Sequence, residues 1–265
     1  MGSAQRIPFS EERLMSNNPC MILAHRGAHG GAPENTLRAI RGSLAAGAQA
    51  LEIDVQAVAD TLLVFHDRRL ERRTDGNGLL AEHSPEVLRR LDAGGGERIP
   101  LLEEVLALVK GEALLNVELK GPRTAAPVAR MLLECLSTGP WRREQLLVSS
   151  FNHRELRLFA ELAPAIPLAL LCEGVLNDVV ATARSLGAGA VNLSVDFADP
   201  ALIAEIQRAG LLVNVYTVNH PEDMRLLLRA GVNGLVTDEL ELAQRECLQQ
   251  GREIWSMPGK AGPAL

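Results

Sequence analysis

Short apolar runs alternate with longer amphipathic stretches along almost the whole chain, and this rhythm limits the possible folds more than any other feature. The runs are Met21–His25, Ala50–Val55, Leu114–Lys120, Leu146–Phe151, Pro167–Cys172, Ala190–Ser194, Val213–Val218 and Gly234–Asp238. Between them lie helix-like stretches at Thr36–Ala46, Leu101–Val109, Ala125–Leu136, His153–Leu162, Asn177–Leu186, Pro200–Ala209 and Pro221–Ala230, and Glu239–Gln249 follows the last run. Gly47, Gly187, Gly210 and Gly231 stand just past helical stretches, where a left-handed residue closes the last turn. Strict alternation of strand and helix requires parallel strands joined by right-handed crossovers. Eight such units over roughly 215 residues are the number that closes a (β/α)8 TIM barrel. An open doubly wound sheet is the competing architecture, but no G-x-G-x-x-G follows the first run.

The expected class is therefore α/β, with one barrel domain over residues 20–250 and terminal extensions at 1–19 and 251–265. Gly, Pro and charge mix in the second extension, which reads as a loosely ordered tail. Residues 67–100 interrupt the rhythm, being far longer than the usual βα connection of about 2–6 residues. They carry turn chemistry in Thr74-Asp75-Gly76-Asn77-Gly78 and Gly94-Gly95-Gly96, so a small insertion after the second strand is expected over one mouth of the barrel.

Charge and composition exclude several classes. The 27 basic and 33 acidic residues leave a formal charge of −6, which argues against binding along a nucleic-acid backbone and means that any bound anion needs a local positive site. The longest apolar stretch, around Ala163–Cys172, is broken by Pro164 and Pro167 and falls well short of the roughly 18 residues of a membrane span. No stable membrane association is expected. The N-terminal residues lack the apolar core of a secretory signal, and Cys20, Cys135, Cys172 and Cys247 are scattered without a CxxC pair, so buried reduced thiols and a cytoplasmic setting are expected.

Polar residues fall on the strands in a telling way. In Leu51-Glu52-Ile53-Asp54-Val55-Gln56 the apolar members share one face and the polar members the other. A half-solvated antiparallel strand has the same pattern, but a barrel strand has no solvent face in its middle, so Glu52 and Asp54 must point inward. Unpaired carboxylates there would be costly and need a metal or a cation. The third strand, Leu115-Asn116-Val117-Glu118-Leu119-Lys120, places Glu118 and Lys120 on the same inner face. Three carboxylates at one end suit Mg²⁺ or Ca²⁺ rather than zinc; an internal salt-bridge cluster around Lys120 is the alternative. His25 closes the first run and His66 closes the short run Leu62–Phe65, both at strand C-termini, where barrel active sites lie. Imidazole is suited to proton transfer near neutral pH. His29, His83, His153 and His220 lie in loops or helix starts and are expected to be solvated. Lysine occurs only at 110, 120 and 260, so an inward Lys120 in an arginine-rich chain looks selected for its slim ammonium.

These residues resemble a known family. His25-Arg26-Gly27, Pro33-Glu34-Asn35-Thr36, Glu52-Ile53-Asp54-Val55, Phe65-His66-Asp67, Arg73 to Gly78, Ile99 to Val105, Asn116 to Lys120, Tyr216-Thr217-Val218-Asn219 and Gly231–Asp238 follow the order and spacing of the glycerophosphodiester phosphodiesterases. The resemblance spans roughly residues 20–245. It implies a barrel that hydrolyses glycerophosphodiesters to an alcohol and sn-glycerol 3-phosphate, with His25 and His66 as the acid/base pair. It further implies that Glu52, Asp54 and Glu118 hold one divalent cation, Mg²⁺ or Ca²⁺, and that Arg26 and Lys120 contact the phosphate. Three positions depart from the family pattern: Tyr216 stands where Trp is usual, Thr61 replaces a common Gly, and the usual Pro is missing after Asp238. Tyr216 bears on the pocket for the glycerol or alcohol group.

Charge arithmetic agrees with that implication. Three carboxylates against Arg26 and Lys120 leave about −1, which repels a phosphodiester; a divalent cation makes the site about +1 and the bound diester neutralises it. Two other readings compete: a lysophospholipase-D-like or other phospholipid diesterase on the same barrel, marked by an apolar lip, and a catalytically inactive ligand-binding barrel. With few aromatic residues and no basic amphipathic anchor, a soluble small-molecule substrate is preferred. The oligomeric state expected is a monomer or homodimer.

Overall fold

The computed structural model describes residues 19–28 and 30–257; His29 and the terminal segments 1–18 and 258–265, about which the sequence raised expectations, lie outside the described residues. The strands are β1 (Met21–Ala24), β2 (Ala50–Val58), β3 (Thr61–Val64), β4 (Leu114–Leu119), β5 (Leu146–Ser150), β6 (Leu168–Cys172), β7 (Ala190–Ser194), β8 (Leu212–Tyr216) and β9 (Gly234–Thr237). The helices are α1 (Leu37–Ala45), α2 (Pro85–Leu88), α3 (Leu102–Val109), α4 (Ala125–Thr138), α5 (His153–Leu162), α6 (Val179–Leu186), α7 (Pro200–Arg208), α8 (Pro221–Arg229) and α9 (Leu240–Gln249). β1 pairs in parallel with both β9 and β2, so the eight parallel strands close on themselves and leave no sheet edge. Gly47, Gly187, Gly210 and Gly231 all take φ between 65° and 83°, the left-handed geometry expected at helix ends. No helix among the described residues is long and apolar enough to cross a membrane.

Strand parity separates two cores. Leu51, Ile53, Val55, Leu115, Val117 and Leu119 face outward and pack under the helices in one large cluster. The inward set, including Met21, Leu23, Ala50, Leu114, Leu147 and Leu212, fills the N-terminal end of the barrel. Above it lies a polar layer in which Asn214 Nδ2 donates to Asn192 Oδ1 at 2.9 Å. Glu52, Asp54 and Glu118 share the inner face of β2 and β4 above the apolar plug.

The structure differs from the sequence reading in two places. β2 runs on to Val58 and returns as antiparallel β3, pairing Val58 with Thr61 and Val55 with Val64. The turn between them lacks the Gly or Asn that usually marks a hairpin, because Ala59 takes the left-handed position at φ 51°. The hairpin carries the chain from the barrel wall into the insertion. That insertion has its own small core of Leu63, Phe65, Leu70, Leu80, Leu88 and Ile99.

The second difference is the tail. Residues 251–257 are docked rather than loose: Ile254 bridges Cys20, the Trp255 N–H donates to the Cys20 carbonyl at 2.9 Å, and Trp255 and Met257 are buried against the inward apolar cluster. They plug the bottom of the barrel. Burial of a side chain the size of Met257 is worth about 1.5–3 kcal/mol, enough to order a short segment of polar composition.

Candidate active site

The acidic triad is assembled by register. β2 and β4 pair Glu52 with Asn116 and Asp54 with Glu118, so the second pair is adjacent across the ladder and Glu52 lies one layer below. Glu52, Asp54 and Glu118 are all buried, and ligand oxygens from the three lie within 4.8 Å of one another. Glu52 Oε1 has no hydrogen-bond partner, and Glu118 Oε1 lies 2.6 Å from Lys120 Nζ but off hydrogen-bonding geometry. Burial, reinforced by the neighbouring carboxylates, pushes the Glu52 and Glu118 carboxyls up. Asp54 goes the other way: burial would raise it, but Lys120, Arg26, His66 and the Asn35 amide together hold it below its ordinary value. An all-oxygen set with an orphaned buried carboxylate oxygen and an excess of negative charge fits a hard divalent cation. These three residues could hold such an ion.

Arg26 lies in the turn after β1 with φ 55°, a left-handed conformation that aims its backbone N–H at Glu52 Oε2, 2.9 Å away. Its side chain reaches Glu34 at 2.7 Å and lies 3.2 Å from Asp54. Glu34 also accepts from Arg72 at 2.9 Å and forms an ion pair with Arg73 at 2.5 Å, so one carboxylate ties the loop after β1 to the insertion. Asn35, with φ 57°, donates to Asp54 Oδ2 at 2.8 Å and accepts from the Asp54 backbone N–H at 3.2 Å. The Pro33 to Thr36 segment thus positions the triad: Asn35 fixes Asp54, and Thr36 caps α1.

Each histidine has a carboxylate on Nδ1. His25 meets Asp238 Oδ1 at 2.8 Å, and His66 meets Asp67 Oδ1 at 2.5 Å. With Nδ1–H directed at a carboxylate, the lone pair is left on Nε2, and among the described residues Nε2 of neither ring has a partner. Asp238 is itself held by Asn219, whose Nδ2 donates to Oδ2 at 2.7 Å and whose Oδ1 accepts the Asp238 backbone N–H at 2.9 Å. Asp67 accepts from Arg72 Nη2 at 2.8 Å; burial would raise its carboxyl, but Arg72 and His66 bring it down to about 2. Burial shifts the His66 imidazole down from its ordinary value, only partly offset by the charge of Asp54.

Lys120 lies just past β4, with Nζ 3.5 Å from Asp54, 2.6 Å from Glu118 and 5.2 Å from the centroid of the Phe151 ring. Burial alone would lower its pKa; Glu118 and Asp54 more than compensate, so it stays charged. Tyr216 lies apart from this group. Its hydroxyl donates to the Cys172 carbonyl at 2.8 Å, and its ring meets Phe151 edge-on at 5.7 Å. A groove of about 980 Å³ opens beside Asp238, bounded by Gly30 to Glu34, Arg72, Arg73 and Gly94.

The structure therefore brings His25, His66, Arg26, Lys120 and the triad to one end of the barrel, with Tyr216 linked to Lys120 through Phe151. Asp238, Asn219 and Asn35 escaped the sequence reading as site residues. Asn35 and Asn219 lie inside motifs noted there, but nothing local shows which atoms they hold. His83 bonds the Asn77 carbonyl and His153 the Leu171 carbonyl, so neither is merely solvated.

Comparison with known proteins agrees with this geometry. The model of the glycerophosphoryl diester phosphodiesterase family matches residues 25–242. The chain is 32% identical over 231 residues to a glycerophosphodiester phosphodiesterase of Caldanaerobacter subterraneus subsp. tengcongensis, covering 83% of this chain and 95% of that protein. It is 33% identical over 229 residues to one from Bacillus altitudinis, covering 82% and 94%. The solved structure of a phosphodiesterase from Oleispira antarctica, in complex with the product sn-glycerol-3-phosphate, is 28% identical with a TM-score of 0.79, covering 85% of this chain and 96% of that one. Matched along nearly its whole barrel by the family model and by relatives of similar length, the chain belongs to the glycerophosphoryl diester phosphodiesterase family and hydrolyses glycerophosphodiesters.

Proposed function

We propose that this mouth cleaves a glycerophosphodiester to an alcohol and sn-glycerol 3-phosphate with one divalent cation, Mg²⁺ or Ca²⁺, held by Glu52, Asp54 and Glu118. The observation that carries the reading is the buried carboxylate triad, flanked by two histidines whose Nδ1 atoms are engaged and whose Nε2 atoms are free among the described residues. When bound, the ion would offset the carboxylate charge and polarise a phosphoryl oxygen. Lys120 and Arg26 contribute positive charge at the same end and orient the phosphate. One imidazole takes the proton of the attacking group at its Nε2; the other, protonated at Nε2, returns a proton to the leaving alkoxide. Asp238 and Asp67 hold the two rings in the tautomer that leaves Nε2 available. A cytoplasmic site of action accords with four cysteines that form no disulfide.

The test is a panel of glycerophosphodiesters assayed for released sn-glycerol 3-phosphate, before and after chelation and with Mg²⁺ or Ca²⁺ added back. Chelation should abolish turnover and an added ion restore it. Full turnover of protein shown by elemental analysis to be metal-free would overturn the cation assignment. No turnover of any diester with either ion would favour the inactive binding barrel instead.

A further inference from the structure

The two histidines are held in different ways. His25 is oriented by Asp238, which Asn219 grips through both side chain and backbone. His66 follows β3 on irregular backbone at the entry to the insertion, and its carboxylate partner is its own neighbour, Asp67. A contact between adjacent residues fixes the ring relative to that stretch of chain, not the stretch relative to the barrel. The ladder with β2 ends where Val55 pairs with Val64, and its last link is the Phe65 N–H, which donates to the Asp54 carbonyl at 2.9 Å. Beyond that point the backbone carbonyls have left the sheet and need a donor from elsewhere.

Gln56 is that donor. Strand alternation puts it on the same inner face as Glu52 and Asp54, and it is buried there. Its Nε2 donates to the Phe65 carbonyl at 2.9 Å, the His66 carbonyl at 3.1 Å and the Asp67 carbonyl at 2.9 Å. Two N–H protons thus serve three acceptors, one proton being shared. Three consecutive carbonyls converging on one nitrogen curl the backbone around it and set the direction in which the His66 side chain leaves. The same amide stands two residues along β2 from Asp54, so the spacing between His66 and the carboxylates of Glu52 and Asp54 is set within one hairpin.

We propose that Gln56 is a positioning residue for proton transfer: its amide fastens residues 65–67 to β2 and so holds the His66 imidazole at the place, relative to the triad, that the reaction needs. The proposal rests on the acid/base reading above and adds a residue that acts through His66. A displacement of about 1 Å at a reacting group costs about 10²-fold in rate, which makes one well-placed amide consequential.

The experiment measures kcat and KM for a glycerophosphodiester in the metal-loaded wild type, Gln56→Met, His66→Ala and the double variant. Methionine is close to glutamine in length and has no donor, so it removes the clamp while filling the space. Gln56→Met should lower kcat about 10–100-fold and change KM less than about twofold. In the His66→Ala background it should lower kcat no further, because a group that acts through the imidazole then has nothing left to position. Nitrogen shifts of the rings, read by NMR without substrate, should change for His66 and stay as they are for His25. Gln56→Asn, with the amide drawn back by one methylene, should show the same pattern and carries the test if Gln56→Met folds poorly. Wild-type kcat in these variants, or unchanged His66 shifts, would overturn the proposal. Equal losses in the wild-type and His66→Ala backgrounds would also overturn it, leaving Gln56 a support of the barrel wall. Full kcat in His66→Ala itself would instead remove the acid/base reading on which the proposal rests.

Discussion

His25 Nδ1 lies 2.8 Å from Asp238 Oδ1 although 213 positions separate the two residues in the chain. The contact exists because the barrel closes: β1 and β9, first and last, pair side by side, and the residues that follow them meet at the mouth. Asn219 then fixes Asp238 through both its side chain and its backbone. Asp238→Asn keeps the shape, but with its one amide oxygen accepting from Asn219 Nδ2 it turns an NH2 donor towards His25 in place of the carboxylate acceptor. It should lower kcat by about 10–100-fold with little change in melting temperature. Nitrogen shifts of the His25 ring, read by NMR, should show loss of the Nδ1–H form; unchanged shifts and unchanged kcat would remove the positioning role.

The two histidines should be separable by leaving group. His25→Ala and His66→Ala should each lower kcat by about 10²-fold or more with the fold intact by circular dichroism. A diester with a more acidic alcohol should restore much of the rate in only one of them, and that variant identifies the general acid. Near-wild-type kcat in both would refute the acid/base assignment.

Lys120 makes close contact with Glu118, lies 3.5 Å from Asp54 and sits over Phe151, so its position is constrained from three sides. Lys120→Arg preserves the charge but places a planar fork where a compact ammonium fits. It should lose at least roughly tenfold in kcat/KM, because small displacements of the phosphate are amplified in rate. Wild-type kinetics in Lys120→Arg would mean that charge alone matters at this position.

Asp67 supplies a pH signature of stability. Its folded pKa of about 2 lies below the ordinary 3.8, so its contribution is complete above about pH 4 and is lost as pH falls towards 2. Arg72→Met removes the main partner. Urea unfolding at pH 6 should show the variant less stable than the wild type, and the difference should shrink steadily between pH 4 and 2. A difference that stays constant across that window would exclude the pair as its source.

The docked tail gives a packing prediction. Trp255→Ala, under the barrel floor, should cost about 2 kcal/mol or more in urea unfolding. A cost below about 0.5 kcal/mol would place it among ordinary surface substitutions.

Sequence alone determined the features governed by local periodicity. Strand alternation put Glu52, Asp54, Glu118 and Lys120 on the inner face, because inward and outward positions alternate along every strand whatever lies next to it. The order of strands and helices determined the barrel, since parallel strands with helical crossovers have few ways to pack. The extent of β2 was not visible: Ala59 bends the hairpin without the usual turn residue, so the short run Leu62–Phe65 was not counted among the strands. Residues 251–257 were misjudged because their composition is polar on average, while Arg252, Trp255 and Met257 are buried. Only the tertiary structure decided that His25 uses Asp238 and that Asn35 and Asn219 act as clamps. These are relations between side chains far apart in the sequence. They depend on register and barrel closure, which bring together residues whose own sequence neighbourhoods carry no trace of one another.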